Sequence, residues 1–180
     1  CPRSQHSRLK QKLAAGLFYR LPRVCCNIRD VIKKVLETAG QLTDFSADKW
    51  YPQQNFLNAL KSIFEKVGPS TLFTLGKLVT ESYPHQFPDL KTALLAVDPI
   101  YQANHRNGDA GCCKLTEFNI DKQIAVMGCK VPYPPEFQRG VLVSRIRKYK
   151  SSMGLVYVEK SAEELKKPES GDIHVYQVSW

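Results

Sequence analysis

The hydrophobic period of the chain changes near residue 110, and this change limits the fold more than any other feature of the sequence. Before it, apolar residues recur at i, i+3, i+4 and i+7, the spacing of one face of a helix. After it, apolar residues alternate with polar ones in short runs bounded by turn residues, as in half-buried strands. Helices followed by strands predict an α+β fold in which helices pack on an antiparallel sheet.

Four helices are predicted in the body of the chain before this change, each an apolar stripe bounded by a capping or breaking residue. Their ranges are 28–39, 53–67, 69–82 and 90–104. Asp89 is the expected N-cap of the fourth helix, because its side chain can accept from the unpaired N–H groups of the first turn. Pro99 lies inside that helix and is expected to kink it or end it early, because proline has no N–H.

The second half of the chain predicts the order β-β-α-β-β and a twisted antiparallel sheet of about four strands. Its segments are a hairpin with strands at 113–118 and 123–129, a helix at 137–149, and strands at 155–159 and 173–180. A hairpin turn centred between Ile120 and Asp121 predicts that Cys112 lies opposite Cys129. Cross-strand partners have Cβ atoms roughly 4.5–5.5 Å apart and share a face of the sheet.

This pair of thiols admits two interpretations. With His105 a few residues upstream, Cys112 and Cys129 are the candidates for a soft-metal or redox site. The alternative is two small apolar residues packing in a sheet, as buried free cysteines do, and we expect packing without a metal. Six cysteines in 180 residues, with no C-x-x-C, do not make a disulfide scaffold. Reduced thiols and a cytoplasmic location are therefore predicted.

The positive charge of the chain is concentrated at its N-terminus. Residues 1–34 hold nine Lys or Arg and one Asp, whereas the whole chain has a net charge of +9, so the remainder is nearly neutral. We expect a basic arm or short helix at 1–26, followed by a single α+β domain at 27–180. Residues 1–34 are a candidate surface for an anionic membrane or a partner. Nucleic acid is not the expected partner, because no recognition motif is present.

Two segments of the second half resemble a known superfamily. They are Phe137-Gln138-Arg139-Gly140, which opens the predicted helix, and Gly171-Asp172-Ile173-His174-Val175-Tyr176-Gln177-Val178-Ser179-Trp180, which closes the chain. Together with the order of elements over 28–180, they resemble the haem nitric-oxide/oxygen-binding (H-NOX) superfamily and its relatives, the 4-vinyl reductase-type domains and TRAPP transport subunits. The resemblance implies N-terminal helices placed before a twisted antiparallel sheet.

The haem-binding residues of that superfamily are not matched here. H-NOX domains ligate the haem iron through a histidine on the helix before the sheet, and the matching position holds Tyr101. Their Tyr-x-Ser-x-Arg motif falls on Met127-x-Cys129-x-Val131, and no arginine occurs from Gly111 to Gln138. Standard His-ligated haem is therefore not expected, and a hydrophobic or tetrapyrrole-like ligand is the cofactor that the resemblance implies.

These observations predict a non-catalytic sensor or regulatory domain with an apolar pocket of a few hundred Å³ between helices and sheet. The residues expected to line it or to orient a small hydrophobic ligand are Tyr101, His105, Arg106, Phe73 and Trp50. No catalytic motif is present, so an enzyme is not the favoured class. The alternative is a dimerising adaptor or assembly scaffold of the same fold, acting as a homodimer or with a signalling partner. A thiol or metal redox protein is a further alternative.

Overall fold

The structure is a computed structural model of the chain, and it describes residues 10–11, 50–82, 86–150, 154–160 and 173–180. The helices in this part are α1 (Gln53–Val67), α2 (Pro69–Ser82), α3 (Leu90–Leu95), α4 (Val97–Ala103) and α5 (Pro135–Tyr149). The strands are β1 (Lys10–Gln11), β2 (Tyr51–Pro52), β3 (His105–Arg106), β4 (Cys112–Asn119), β5 (Ile124–Lys130), β6 (Tyr157–Lys160) and β7 (His174–Ser179). The helix predicted at 28–39 lies outside the described residues.

The sequence predicted α1 and α2 with their observed bounds, because glycine and proline separate them. Gly68 has a φ of 85°, a left-handed conformation that glycine adopts without steric cost, and its N–H donates to the carbonyl of Phe64. Pro69 then starts α2, where the N–H that proline lacks would have had no partner.

The predicted helix at 90–104 is instead two short helices that meet at Ala96. Asp89 caps α3 as expected, because its carboxylate accepts from the N–H of Thr92 at 2.7 Å. Pro99 has no N–H to donate to the carbonyl of Leu95, so the helical ladder is interrupted one turn before the proline. The interruption leaves the Leu95 side chain exposed.

The second half forms the predicted four-stranded antiparallel sheet, with strand order β4-β5-β7-β6. The α+β class and the β-β-α-β-β order along the chain are confirmed. A second, smaller sheet places β1 between β2 and β3. Lys10 and Gln11 are therefore strand residues within the segment 1–26 that was expected to be a basic arm or short helix, and the rest of that segment lies outside the described residues.

The predicted hairpin register is wrong. The turn spans Ile120–Gln123, and Asn119 Oδ1 accepts from the N–H of Lys122 at 2.9 Å, which closes a turn one residue later than expected. The later turn moves every cross-strand partner by two residues, and a register shift between Leu115 and Glu117 moves the pairing back by one. Together these changes move the partner of Cys129 from Cys112 to the next residue along β4.

The corrected register places Cys113 opposite Cys129 and Cys112 opposite Lys130. Because successive side chains of a strand point to opposite faces, Cys112 and Cys129 lie on different faces of the sheet. Cys113 and Cys129 face the helices and form a disulfide. The two thiols that the sequence analysis paired are thus not brought together.

Helix α5 is the centre of the core and is buried on nearly all sides. It crosses α2 at Gly76 and Gly140, where a Cβ on either glycine would clash with backbone of the other helix. The hydroxyl of Thr80 donates to the carbonyl of Val141 at 3.1 Å across the same crossing. The inner face of the sheet packs beneath, through Cys113, Ala125, Met127, Cys129, Tyr176, Val178 and Val158. No described helix is both long and apolar enough to span a bilayer.

Candidate functional site

A cavity of about 60 Å³ lies where α2, α4, β4 and α5 meet. Its apolar lining residues are Val79, Val97, Ile100, Cys113, Phe137 and Val141, and its lining residues with a polar group are Thr80, Tyr101, Asn104, Tyr133, Gln138 and Arg145. The cavity lies beside the helix that the sequence analysis singled out, but it is several times smaller than the pocket predicted. In this conformation it has room for a molecule of a few heavy atoms.

Tyr101 lies at the cavity wall, in the last turns of α4. Its hydroxyl donates to the carbonyl of Ala110 at 2.5 Å, and its ring lies edge-on to that of Tyr133. Burial raises the pKa of Tyr101 well above its usual value, so the phenol remains protonated at neutral pH. The side chain therefore ties α4 to the segment before β4 and presents a ring, rather than an anion, to the cavity.

His105 is buried behind Tyr101, and both of its ring nitrogens have partners. Nδ1 lies 2.6 Å from the carbonyl of Tyr101, and Nε2 lies 2.7 Å from the hydroxyl of Tyr133. Because a carbonyl only accepts, Nδ1 carries the proton and Nε2 accepts from the tyrosine. Burial lowers the pKa of His105, which favours this neutral form. His105 thus holds Tyr101 and Tyr133 in place through hydrogen bonds and does not itself line the cavity.

The other three predicted ligand residues lie elsewhere. The guanidinium of Arg106 stacks on the ring of Trp50, with 4.0 Å between Cζ and the ring centroid. Phe73 lies beneath two cations, with Lys77 at 5.3 Å and Arg139 at 5.2 Å from its ring centroid. Arg106, Trp50 and Phe73 are not among the residues that line the cavity. Of the five predicted residues, the structure brings Tyr101 alone to it.

The sequence analysis missed two buried polar residues of α5 that do line the cavity. Gln138 is 5% exposed, and its Nε2 donates to the sulfur of Cys113 at 3.2 Å and that of Cys129 at 3.7 Å. Arg145 is 4% exposed and lies over the ring of Phe87. The sequence does not indicate that Arg145 is buried, because a segment with so many polar residues does not predict a helix covered on nearly all sides.

The metal candidates Cys112, Cys129 and His105 do not form a site. Cys129 is bonded to Cys113, and Cys112 is a free thiol on the other face of the sheet. Both nitrogens of His105 have other partners. Within the described part of the chain, no group of three or more His, Cys, Asp or Glu side chains is arranged to hold a metal ion.

Comparison with solved structures finds proteins of the same fold over nearly the whole chain. A structure concerned with haem redox potential and protein-induced porphyrin distortion has a TM-score of 0.63 and 15% identity, covering 95% of this chain and 99% of that one. An H-NOX protein from S. oneidensis in the Fe(II)NO state has a TM-score of 0.62 and 7% identity, covering 91% and 97%. An oxygen-binding H-NOX domain related to soluble guanylate cyclases has a TM-score of 0.58 and 13% identity, covering 83% and 84%. No protein-family model and no curated protein matches the sequence.

The chain therefore has an H-NOX-like fold, as its resemblance predicted. Haem, however, does not fit the described residues. A ligand of drug size needs a pocket of about 300–1,000 Å³, and the cavity is about 60 Å³. No histidine is among the described residues that line it. Tyr101, at the expected ligand position, is protonated, and its hydroxyl donates a hydrogen bond to the carbonyl of Ala110.

Proposed function

We propose that this chain is a sensor or regulatory domain that binds a small molecule between its helices and its sheet, without a haem and without catalysing a reaction. The cavity carries this proposal. Four different elements form its walls, so a molecule that enters it contacts the helices α2, α4 and α5 and the strand β4 at once. Occupancy can then shift the balance between two packings of these elements, which is how a binding site becomes a sensor.

The chemistry of the walls indicates the class of ligand. Most of the lining is apolar, so a small molecule with little polarity is favoured. The Thr80 hydroxyl and the Tyr101 hydroxyl are committed to the carbonyls of Val141 and Ala110. Arg145 is the one charged residue among the described lining residues, and its positive potential favours a ligand with a dipole or a partial negative charge.

Xenon is a suitable probe for this site, because it enters small apolar cavities and makes no hydrogen bonds. In methyl-resolved NMR, we expect xenon to shift the signals of Val79, Ile100 and Val141. Val97→Leu adds a methylene to the wall and should weaken these shifts at least several-fold. Val126→Leu adds the same group on the outer face of the sheet and is the matched control.

The sensor part of the proposal has a separate measurement. Hydrogen exchange along α5 should slow when xenon is bound, because occupancy stabilises the packing around the cavity. Xenon shifts at other methyl groups only, or shifts that Val97→Leu leaves unchanged, would refute the cavity as the binding site. Xenon binding without any change in hydrogen exchange along α5 would support the binding site but contradict the sensor role.

A dimerising scaffold of the same fold is the second candidate, and exposed apolar side chains on the outer face of the sheet favour it. Tyr157 and Ile124 flank Ser179 in adjacent strands on that face, and Tyr157 is 54% exposed. Leu155 and Ile120, near the same end of the sheet, are 70% and 56% exposed. Light scattering of the native chain and of Tyr157→Glu tests this candidate, which requires a dimer that the substitution dissociates.

A further inference from the structure

The corrected sheet register aligns three reactive side chains across neighbouring strands. Cys113 in β4 pairs with Cys129 in β5, and Cys129 pairs in turn with His174 in β7. Residues paired in this way point to the same face, with Cβ atoms roughly 4.5–5.5 Å apart. The row therefore places an imidazole beside the sulfur of Cys129, on the face that the helices cover.

Helix α5 covers this row with a hydrogen-bond donor. Gln138 Nε2 lies within reach of both sulfurs, at 3.2 Å from Cys113 and 3.7 Å from Cys129. Both cysteines are buried, at 1% and 0% exposure, and Cys113 also lines the cavity. The cavity is thus the space from which a molecule can reach the disulfide, on the side of Cys113.

We propose that the Cys113–Cys129 disulfide is a reversible modification site, opened by a small sulfur nucleophile of the hydrosulfide class that reaches Cys113 through the cavity. The volume of about 60 Å³ sets the size limit, since it admits a molecule of a few heavy atoms and excludes a tripeptide thiol. Arg145 is the one charged residue among the described residues that line the cavity, and its positive potential favours an anion.

The reaction needs no further oxidant or reductant. The hydrosulfide sulfur forms a bond to Sγ of Cys113 while the bond between the two cysteines breaks, and the electron pair of that bond goes to Sγ of Cys129. The products are a persulfide on Cys113 and a thiolate on Cys129. Gln138 donates to the thiolate as it forms. In reverse, the thiolate attacks the persulfide and expels hydrosulfide.

Opening the disulfide also provides a signal that the fold can transmit. Two sulfurs that are no longer bonded move apart to van der Waals contact, and Gln138 must follow or lose one of its acceptors. Gln138 lies two residues before Gly140, where α5 and α2 are in backbone contact. A change at the sulfurs therefore displaces the crossing of these helices. This inference goes beyond the proposed function, because it does not require that a ligand remain bound in the cavity.

Peptide mapping by mass spectrometry tests the proposal, after the folded protein has been treated with hydrosulfide or with glutathione and the thiols have been blocked. Mapping is needed because the chain has six cysteines. Each rate is normalised to the rate of the same reagent on the urea-unfolded chain. We expect the normalised rate for hydrosulfide to exceed that for glutathione at least tenfold, with the added sulfur on Cys113.

Gln138→Met removes the donor at nearly constant volume and should slow the hydrosulfide reaction about tenfold, because a hydrogen bond to a charged group is lost. Gln177→Met, on the outer face of β7, is the matched control and should leave the rate unchanged. Melting temperatures of both variants show whether they fold.

Three outcomes would overturn the inference. Equal normalised rates for hydrosulfide and glutathione would mean that the disulfide opens only when the chain unfolds. The disulfide would then be purely structural. Sulfur added to Cys129 contradicts the route through the cavity. Free thiols at both positions in the air-oxidised protein contradict the disulfide itself. None of these results bears on xenon binding, so the proposed function is judged separately.

Discussion

Gly76→Ala tests the contact between α2 and α5 on which the central packing depends. A Cβ at this position would overlap the carbonyl oxygen of Phe137 and press on the N–H of Val141. Both obstacles are backbone atoms, so no rotamer change relieves the overlap and the helices must separate. Overpacking costs about 1–3 kcal/mol and at times more, while alanine regains about 1 kcal/mol of helix propensity.

Because the obstruction is backbone on backbone, we place the net loss in the free energy of unfolding at about 2 kcal/mol. For a chain of this size that loss lowers the melting temperature by roughly 4–8 °C. Urea denaturation followed by tryptophan fluorescence measures the loss, with Trp180 as reporter because its ring stacks on Phe118 in the core.

Gly128→Ala is the matched control for this measurement. A Cβ at Gly128 meets only the methyl group of Thr116, at 3.7 Å, which is an ordinary contact. Its expected effect is within about 0.5 kcal/mol of zero. A Gly76→Ala protein as stable as the Gly128→Ala protein would refute the backbone contact between α2 and α5.

Two further predictions concern the protonation of His105 and the N-cap of α3. Lowering the pH through about 6.5 should reduce the free energy of unfolding of the native chain. The reason is that His105 binds a proton in the unfolded chain but stays neutral in the folded one, where burial lowers its pKa. Urea midpoints at pH 7 and pH 5 should show a smaller decrease for His105→Gln, and an equal decrease would contradict the lowered pKa. Asp89→Ala removes the N-cap of α3 and should lower the free energy of unfolding at pH 7. Asp89→Asn keeps an acceptor and should recover most of that loss.

The helical ends were predictable from the sequence because they depend on local chemistry. Gly68 and Pro69 fix the junction of α1 and α2 through backbone conformation alone. The same reasoning placed Pro99 correctly as a breaker but not the break itself, which lies at Ala96. The exact position depends on which carbonyl loses its partner.

The site was less predictable because it depends on register and on tertiary burial. A hairpin that closes one residue later, followed by a register shift near Leu115, exchanged Cys112 for Cys113 at the centre of the sheet. The role of Gln138 depends on α5 being covered on all sides, and helix periodicity does not indicate that for a segment with several cations. Tyr101 could be identified from the sequence because it occupies the position at which H-NOX domains have the histidine that ligates the haem iron.

Titration of the purified protein with haem, followed by absorption spectroscopy, tests the central claim most directly. The claim is that the described part of this H-NOX-like fold encloses a small cavity, with no room for a haem and no histidine among its described lining residues. We expect weak, unsaturable haem association with no sharp Soret band and no rise in melting temperature. A stoichiometric complex with a Soret band that His105→Ala abolishes would contradict it.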